Sequence, residues 1–168
     1  YYATYPGTVR GVGAIPKAIK ASPDHGFQPQ ASDIAPHAAS ASSLLINSPN
    51  NPTGVVYTED TLDGIAQVCR DNDLWLISDE VYDTQIWNGT HISPRALPGM
   101  ADRTLVVGSM SKSHAMTGSR VGWIVGPEDA IDHLINLSTH TTYGVPHFIQ
   151  DAALFALQQG TPLETEVA

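Results

Sequence analysis

The chain has 168 residues, 42% of them hydrophobic and 15% charged, with a formal net charge of −9 at pH 7. That length holds one domain with a real core. The acidic balance disfavours nucleic acid or an anionic membrane as partner, so any anionic ligand has to be gripped by a few placed cations. A single cysteine, Cys69, excludes an internal disulfide and favours a cytoplasmic enzyme. No apolar run approaches the length of a membrane span, and no signal peptide opens the chain.

Residues 1–13 mix aromatic, Pro and Gly residues and read as loop with a short helix or turn, and residues 15–21 read as a short strand. Residues 22–40 are polar, rich in Pro, Asp and His, and read as a connection with one short helix. Ser43-Leu44-Leu45-Ile46 is the first apolar run, closed by the dense turn signal Asn47-Ser48-Pro49-Asn50-Asn51-Pro52-Thr53-Gly54. Thr58 then caps a helix with Glu59 and Asp60 in its first turn. Leu62, Ile65, Ala66, Val68 and Cys69 form its apolar face, and Asp71-Asn72-Asp73 ends it. Leu74-Trp75-Leu76-Ile77-Ser78 is the second run, followed by Asp79-Glu80-Val81-Tyr82 and a largely irregular stretch to Met100.

The third run is Leu105-Val106-Val107 and the fourth spans residues 121–126. A helix with Pro127 in its first turn is predicted to about Leu137, then a loop over residues 138–142, then a helix over residues 146–159 broken by Gly160. Short unbroken apolar runs alternating with helices predict an α/β fold, a mostly parallel sheet covered on both faces in three αβα layers. Ligands of such sheets sit beyond the carboxyl ends of the strands. The first three runs end, respectively, towards Asn47 and Asn51, at Asp79 with Tyr82 three residues on, and at Ser109, Ser111 and Lys112. Three strands thus bring chemically able groups to one rim.

Lys112 is one of only three lysines, set among small residues behind an apolar run. An amine held in a partly buried site is a candidate nucleophile, able to form a Schiff base with an aldehyde. Arg120 offers a bidentate fork that, with Ser109 and Ser111, can clamp a phosphate. A carboxylate at Asp79 can hold a protonated pyridine nitrogen, and the Tyr82 phenol with the Asn51 amide can hydrogen-bond a phenolate oxygen. Pyridoxal 5'-phosphate asks for all of these together. Taken singly the groups are plain: Asn-Pro-Thr-Gly is a turn, Asp79 a possible helix cap, Tyr82 a core residue and Arg120 a surface cation. The histidines lack metal-ligand spacing, so no metal is expected.

The same pieces, Asn51-Pro52-Thr53-Gly54, Asp79-x-x-Tyr82 and Ser109-x-Ser111-Lys112 followed by Arg120-Val121-Gly122, resemble the class I/II pyridoxal-phosphate-dependent aminotransferases of fold type I, in order and in spacing. The resemblance implies the large domain of that fold, transfer of an amino group from an amino acid to a 2-oxo acid, and a homodimer with sites at the subunit interface. It implies that Lys112 is the Schiff-base lysine and proton carrier, and that Asp79 pairs with the pyridine nitrogen. Tyr82 and Asn51 would bond the phenolic oxygen; Ser109, Ser111 and Arg120 would hold the phosphate. Tyr2 would stack on the cofactor ring, and the Asn51–Pro52 bond would be cis. Residues 141–143 stand where the family points a loop towards the neighbouring subunit.

Met110 stands where the family usually has an aromatic residue, and Ser119 where it often has Trp; these departures alter packing around the lysine. Tyr1 is no start methionine, and residues 161–168 trail off without a clear finish. The resemblance accordingly makes residues 1–168 the central part of the large domain, with the glycine-rich phosphate loop, the arginine for the substrate α-carboxylate and the small domain outside them. Such a piece alone is expected to bind the cofactor poorly and to turn over little. Other enzymes on the same scaffold, a carbon–sulfur lyase, a decarboxylase or a cyclopropane-forming synthase, share these cofactor residues. So does an aminotransferase-like regulatory domain. The donor amino acid is not legible.

Overall fold

The apolar runs build a four-stranded sheet in a computed structural model that describes residues 1–167. Strands β1 (Ser43–Asn47), β2 (Trp75–Asp79) and β3 (Thr104–Ser109) are parallel neighbours in chain order, and β4 (Gly122–Val125) returns antiparallel beside β3. The register sets Asn47 beside Asp79, and Asp79 beside Val107. Parallel neighbours require long crossovers. Helix α3 (Glu59–Asp71) supplies the first, and an irregular stretch with a 3-10 turn at Pro94–Ala96 the second.

Helix α3 forms where its caps and apolar spacing place it. The Thr58 side chain accepts a hydrogen bond from the Thr61 N–H, and Glu59 and Asp60 face the positive end of the helix dipole. Leu62, Ile65, Ala66, Val68 and Cys69 are all buried and pack with Ile34 and Ala38 of α2 (Ala31–Ala38), Ile46, Leu74, Leu76 and Met100 in the main core. Beyond the helix the chain turns through Asp73 in the left-handed region, φ 51°. A second, smaller cluster gathers Met110, Met116 and Val121 with Ala153 and Ala156 of α6 (His147–Gln159).

Several expectations require correction. Residues 15–21 form no strand; Pro16 has no N–H to give a ladder, Ile15 is exposed, and Lys17 Nζ donates instead to Ser40 Oγ at 2.8 Å. The helix after Pro127, α5 (Glu128–Thr141), runs through the predicted loop at residues 138–142 as far as Thr141. There, the Thr139 and Thr141 hydroxyls donate to the Ile135 and Leu137 carbonyls four residues back, at 3.0 and 2.8 Å, so both side chains fold onto the helix that they extend. The stretch read as an unfinished tail forms α7 (Thr161–Val167). The connection at residues 22–40 holds a 3-10 turn (Pro23–His25) as well as α2, and the opening residues hold α1 (Tyr5–Gly11). The Asn51–Pro52 bond is cis, and so is Ser48–Pro49.

Candidate active site

The carboxyl ends of β1 and β2 are stitched together by Asn47, which is 3% exposed. Its amide donates to the Asp79 carbonyl at 3.0 Å, and its Oδ1 accepts the Asn51 N–H at 2.8 Å. The turn after β1 is thereby held against the end of β2. Gly54 closes that turn with φ +72°, its N–H donating to the Asn50 carbonyl at 2.7 Å. Asn51 then reaches across, donating from Nδ2 to the Tyr82 phenol oxygen at 3.2 Å. Asp79 organises its own turn, since its Oδ1 accepts the Val81 N–H at 3.2 Å.

The lysine arrives from the third strand. Ser109 ends β3 and caps the short helix α4 (Met110–Ser113), its Oγ accepting the Ser111 N–H at 3.0 Å and donating to the Val121 carbonyl at 3.3 Å. Met110 is fully buried in the second cluster and anchors this turn from below. Half-buried Lys112 projects Nζ over the Tyr82 ring, 5.9 Å from its centroid. Gln85, three residues beyond Tyr82, donates from Nε2 to the Lys112 carbonyl at 3.2 Å, so one loop touches the lysine twice.

Ser109, Ser111 and Arg120 line one open groove of about 470 Å³ that continues over Gly122 and Trp123 towards α5. Arg120 is exposed, in the left-handed region at φ 54°, and spends one N–H on the Thr117 carbonyl at 3.0 Å. A guanidinium carries five N–H donors, so most remain free for an anion. The ion pairs among the described residues are Glu80–His91 and Asp73–Arg103. Lys112 and Arg120, the two cations of the rim, belong to neither.

Asn51, Asp79, Tyr82 and Lys112 therefore come together, and Ser109, Ser111 and Arg120 meet at the flanking groove. Tyr2 is less direct: it is 45% exposed and packs edge-on against Tyr5, ring centroids 5.9 Å apart at 71°. Tyr5 itself is a site residue that sequence reasoning missed. Its phenol donates to Asp79 Oδ2 across 74 positions of sequence. Burial, and then the hydrogen bond to Asp79, push its pKa well above the usual phenol value, so it remains a proton donor. Nothing in the local sequence announces this pairing, nor the one between Gln85 and Lys112. His114, beside the lysine, turns inward and bonds the Ser113 hydroxyl through Nδ1 at 2.8 Å. Residues 141–143 lie at the end of α5, with Tyr143 90% exposed.

A family model described as aminotransferase class I and II matches residues 1–167. The chain is 44% identical over 162 residues to an arginine–pyruvate transaminase of Pseudomonas aeruginosa, covering 96% of this chain and 41% of that protein. It is 36% identical over 160 residues to an aspartate aminotransferase of Streptomyces avermitilis, covering 94% of this chain and 39% of that protein. Among solved structures it superposes on the Thermus thermophilus aspartate aminotransferase with maleate at a TM-score of 0.93 and 32% identity. That match covers 99% of this chain and 44% of the other. The chain thus spans about two fifths of the length of the curated relatives it matches.

Proposed function

This chain belongs to the class I and II aminotransferases, and on that premise we propose that residues 1–168 are the central part of the large domain of an enzyme that moves an amino group from an amino acid to a 2-oxo acid. The donor set fits pyridoxal 5'-phosphate: an amine, a carboxylate, a phenol–amide pair, and a guanidinium with two hydroxyls, all at one end of a sheet. When bound, that group supplies an aldehyde to hold an amine covalently and a ring that takes up the electrons left when a proton leaves the substrate Cα.

Lys112 would be the residue that holds the cofactor, through Nζ. With the cofactor and substrate bound, the same nitrogen would be the group that takes a proton from the substrate Cα and delivers one to C4', acting as base and then acid. Asp79 would receive the ring N–H on its carboxylate. Tyr82 and Asn51, already bonded to each other, offer their donors to one phenolic oxygen. Arg120, Ser109 and Ser111 grip the phosphate, a charge-assisted contact in a chain with few cations to spare. Tyr2, packed edge-on against Tyr5, would offer an aromatic face to the ring. The enzyme works as a cytoplasmic homodimer. The single thiol is buried, and large apolar side chains at Tyr143, Phe148 and Phe155 remain uncovered on this chain.

One observation carries the reading: adjacent strand ends place Lys112, Asp79, Tyr82 and Asn51 on one rim, with Tyr82 touching both Asn51 and the lysine. The test is the visible absorption of the full-length protein loaded with pyridoxal phosphate. Lys112→Ala is expected to abolish the band of the tethered cofactor; a band unchanged in that variant refutes the site. Product analysis then fixes the reaction class. An amino group that appears on an added 2-oxo acid marks an aminotransferase. Thiol or carbon dioxide released without that acid marks a lyase or a decarboxylase.

A further inference from the structure

Asp79 is held by more of the chain than its own turn. Its carboxylate has one donor on each oxygen: the Val81 N–H on Oδ1 and the Tyr5 phenol on Oδ2. An aspartate held at a single oxygen can rotate about its last torsion, which is broad and roughly two-fold. Two donors from different elements stop that rotation and set the carboxyl plane. Each oxygen keeps a lone pair after these bonds, so a third donor can still approach. The Tyr5 ring is itself steadied by the edge-on contact with Tyr2.

We propose that Tyr5 is a positioning residue, whose phenol locks the Asp79 carboxylate in the orientation that receives the cofactor's ring N–H. This rests on the reading of Asp79 given above. Tyr5 touches neither the reacting atoms nor the amine that moves the proton. Its whole effect passes through Asp79, and that sets it apart from a residue that merely supports the fold.

The experiment is a cycle in the full-length protein: wild type, Tyr5→Phe, Asp79→Asn and the double variant. Two quantities are read, the dissociation constant of pyridoxal phosphate from the apoprotein and the pH midpoint of the bound cofactor's visible band. Tyr5→Phe removes one oxygen from a hydrogen bond to a charged group, so cofactor affinity is expected to fall about tenfold and the midpoint to move. In the Asp79→Asn background the same substitution is expected to change affinity less than about twofold, because the effects of coupled groups do not add. Equal effects in both backgrounds, or no effect in wild type, overturn the proposal while leaving the role of Asp79 intact. If Asp79→Asn alone changes neither quantity, the reading of Asp79 fails and the proposal falls with it.

Discussion

Glu80 offers a quantitative test of how the loop bearing Tyr82 and Gln85 is held. Its side chain is 7% exposed and accepts from His91 Nε2 and from Ser93 Oγ, both at 2.8 Å. Residues 80–93 thus form a loop pinned at both ends to the tip of β2. In Glu80→Ala two half-buried donors lose a charged acceptor, and His91 already has an unpartnered Nδ1. Hydrogen bonds to charged groups contribute about 1.5–3 kcal/mol each, so the pair is expected to cost about 3 kcal/mol after partial relaxation to water. That figure is an increase of roughly 150-fold in the population of the open loop. Native-state hydrogen exchange on the full-length protein reads it through the amides of Asp83 and Gln85, which donate to the Glu80 and Tyr82 carbonyls. Glu80→Gln, which keeps an acceptor, is expected to show a smaller increase, and Glu80→Ala with His91→Ala less than the sum of the two. Exchange in Glu80→Ala within about threefold of wild type would refute the argument that this clasp holds the loop.

Three further outcomes are expected. A Cβ at Gly108 would stand 2.4 Å from Trp123 Nε1, so Gly108→Ala must displace the indole or β3; a stability loss of about 1–3 kcal/mol, reduced when Trp123→Ala is added, is expected in thermal melts of the full-length protein. In the core, Ile65→Ala removes a fully buried side chain and is expected to cost about 2–5 kcal/mol by the same measurement. Burial pushes Cys69 up to about 11 and Tyr57 up to about 12. Both groups give up their protons later in the folded chain than in the unfolded one. Stability is therefore full below the unfolded values and declines as pH rises through about 9 to 12; Tyr57→Phe is expected to flatten the upper part of that decline in melts taken across the range.

The placement of the candidate site groups was legible where they follow directly on strand ends. Asn51, Asp79, Tyr82 and Lys112 sit within a few positions of three apolar runs, and parallel pairing brings any such positions to one rim. Helix α3 was legible for a similar reason: its cap, its acidic first turn and its apolar spacing are all local. The stretch at residues 15–21 misled because its apolar residues say nothing of whether a neighbouring strand edge is there to pair with. The end of α5 misled because Thr and His read as loop formers, yet their side chains bond the helix's own carbonyls.

The amino-acid order alone determined the local elements and the identities of the groups at the strand tips, since caps, turn residues and burial periodicity act within a few residues of one another. The tertiary structure decided which distant groups meet. Tyr5 reaches Asp79 across 74 positions, Gln85 reaches Lys112 across 27, and β4 lies antiparallel against β3. Such contacts form only once strand register has set the spacing between chain segments, and no short window of sequence contains both partners.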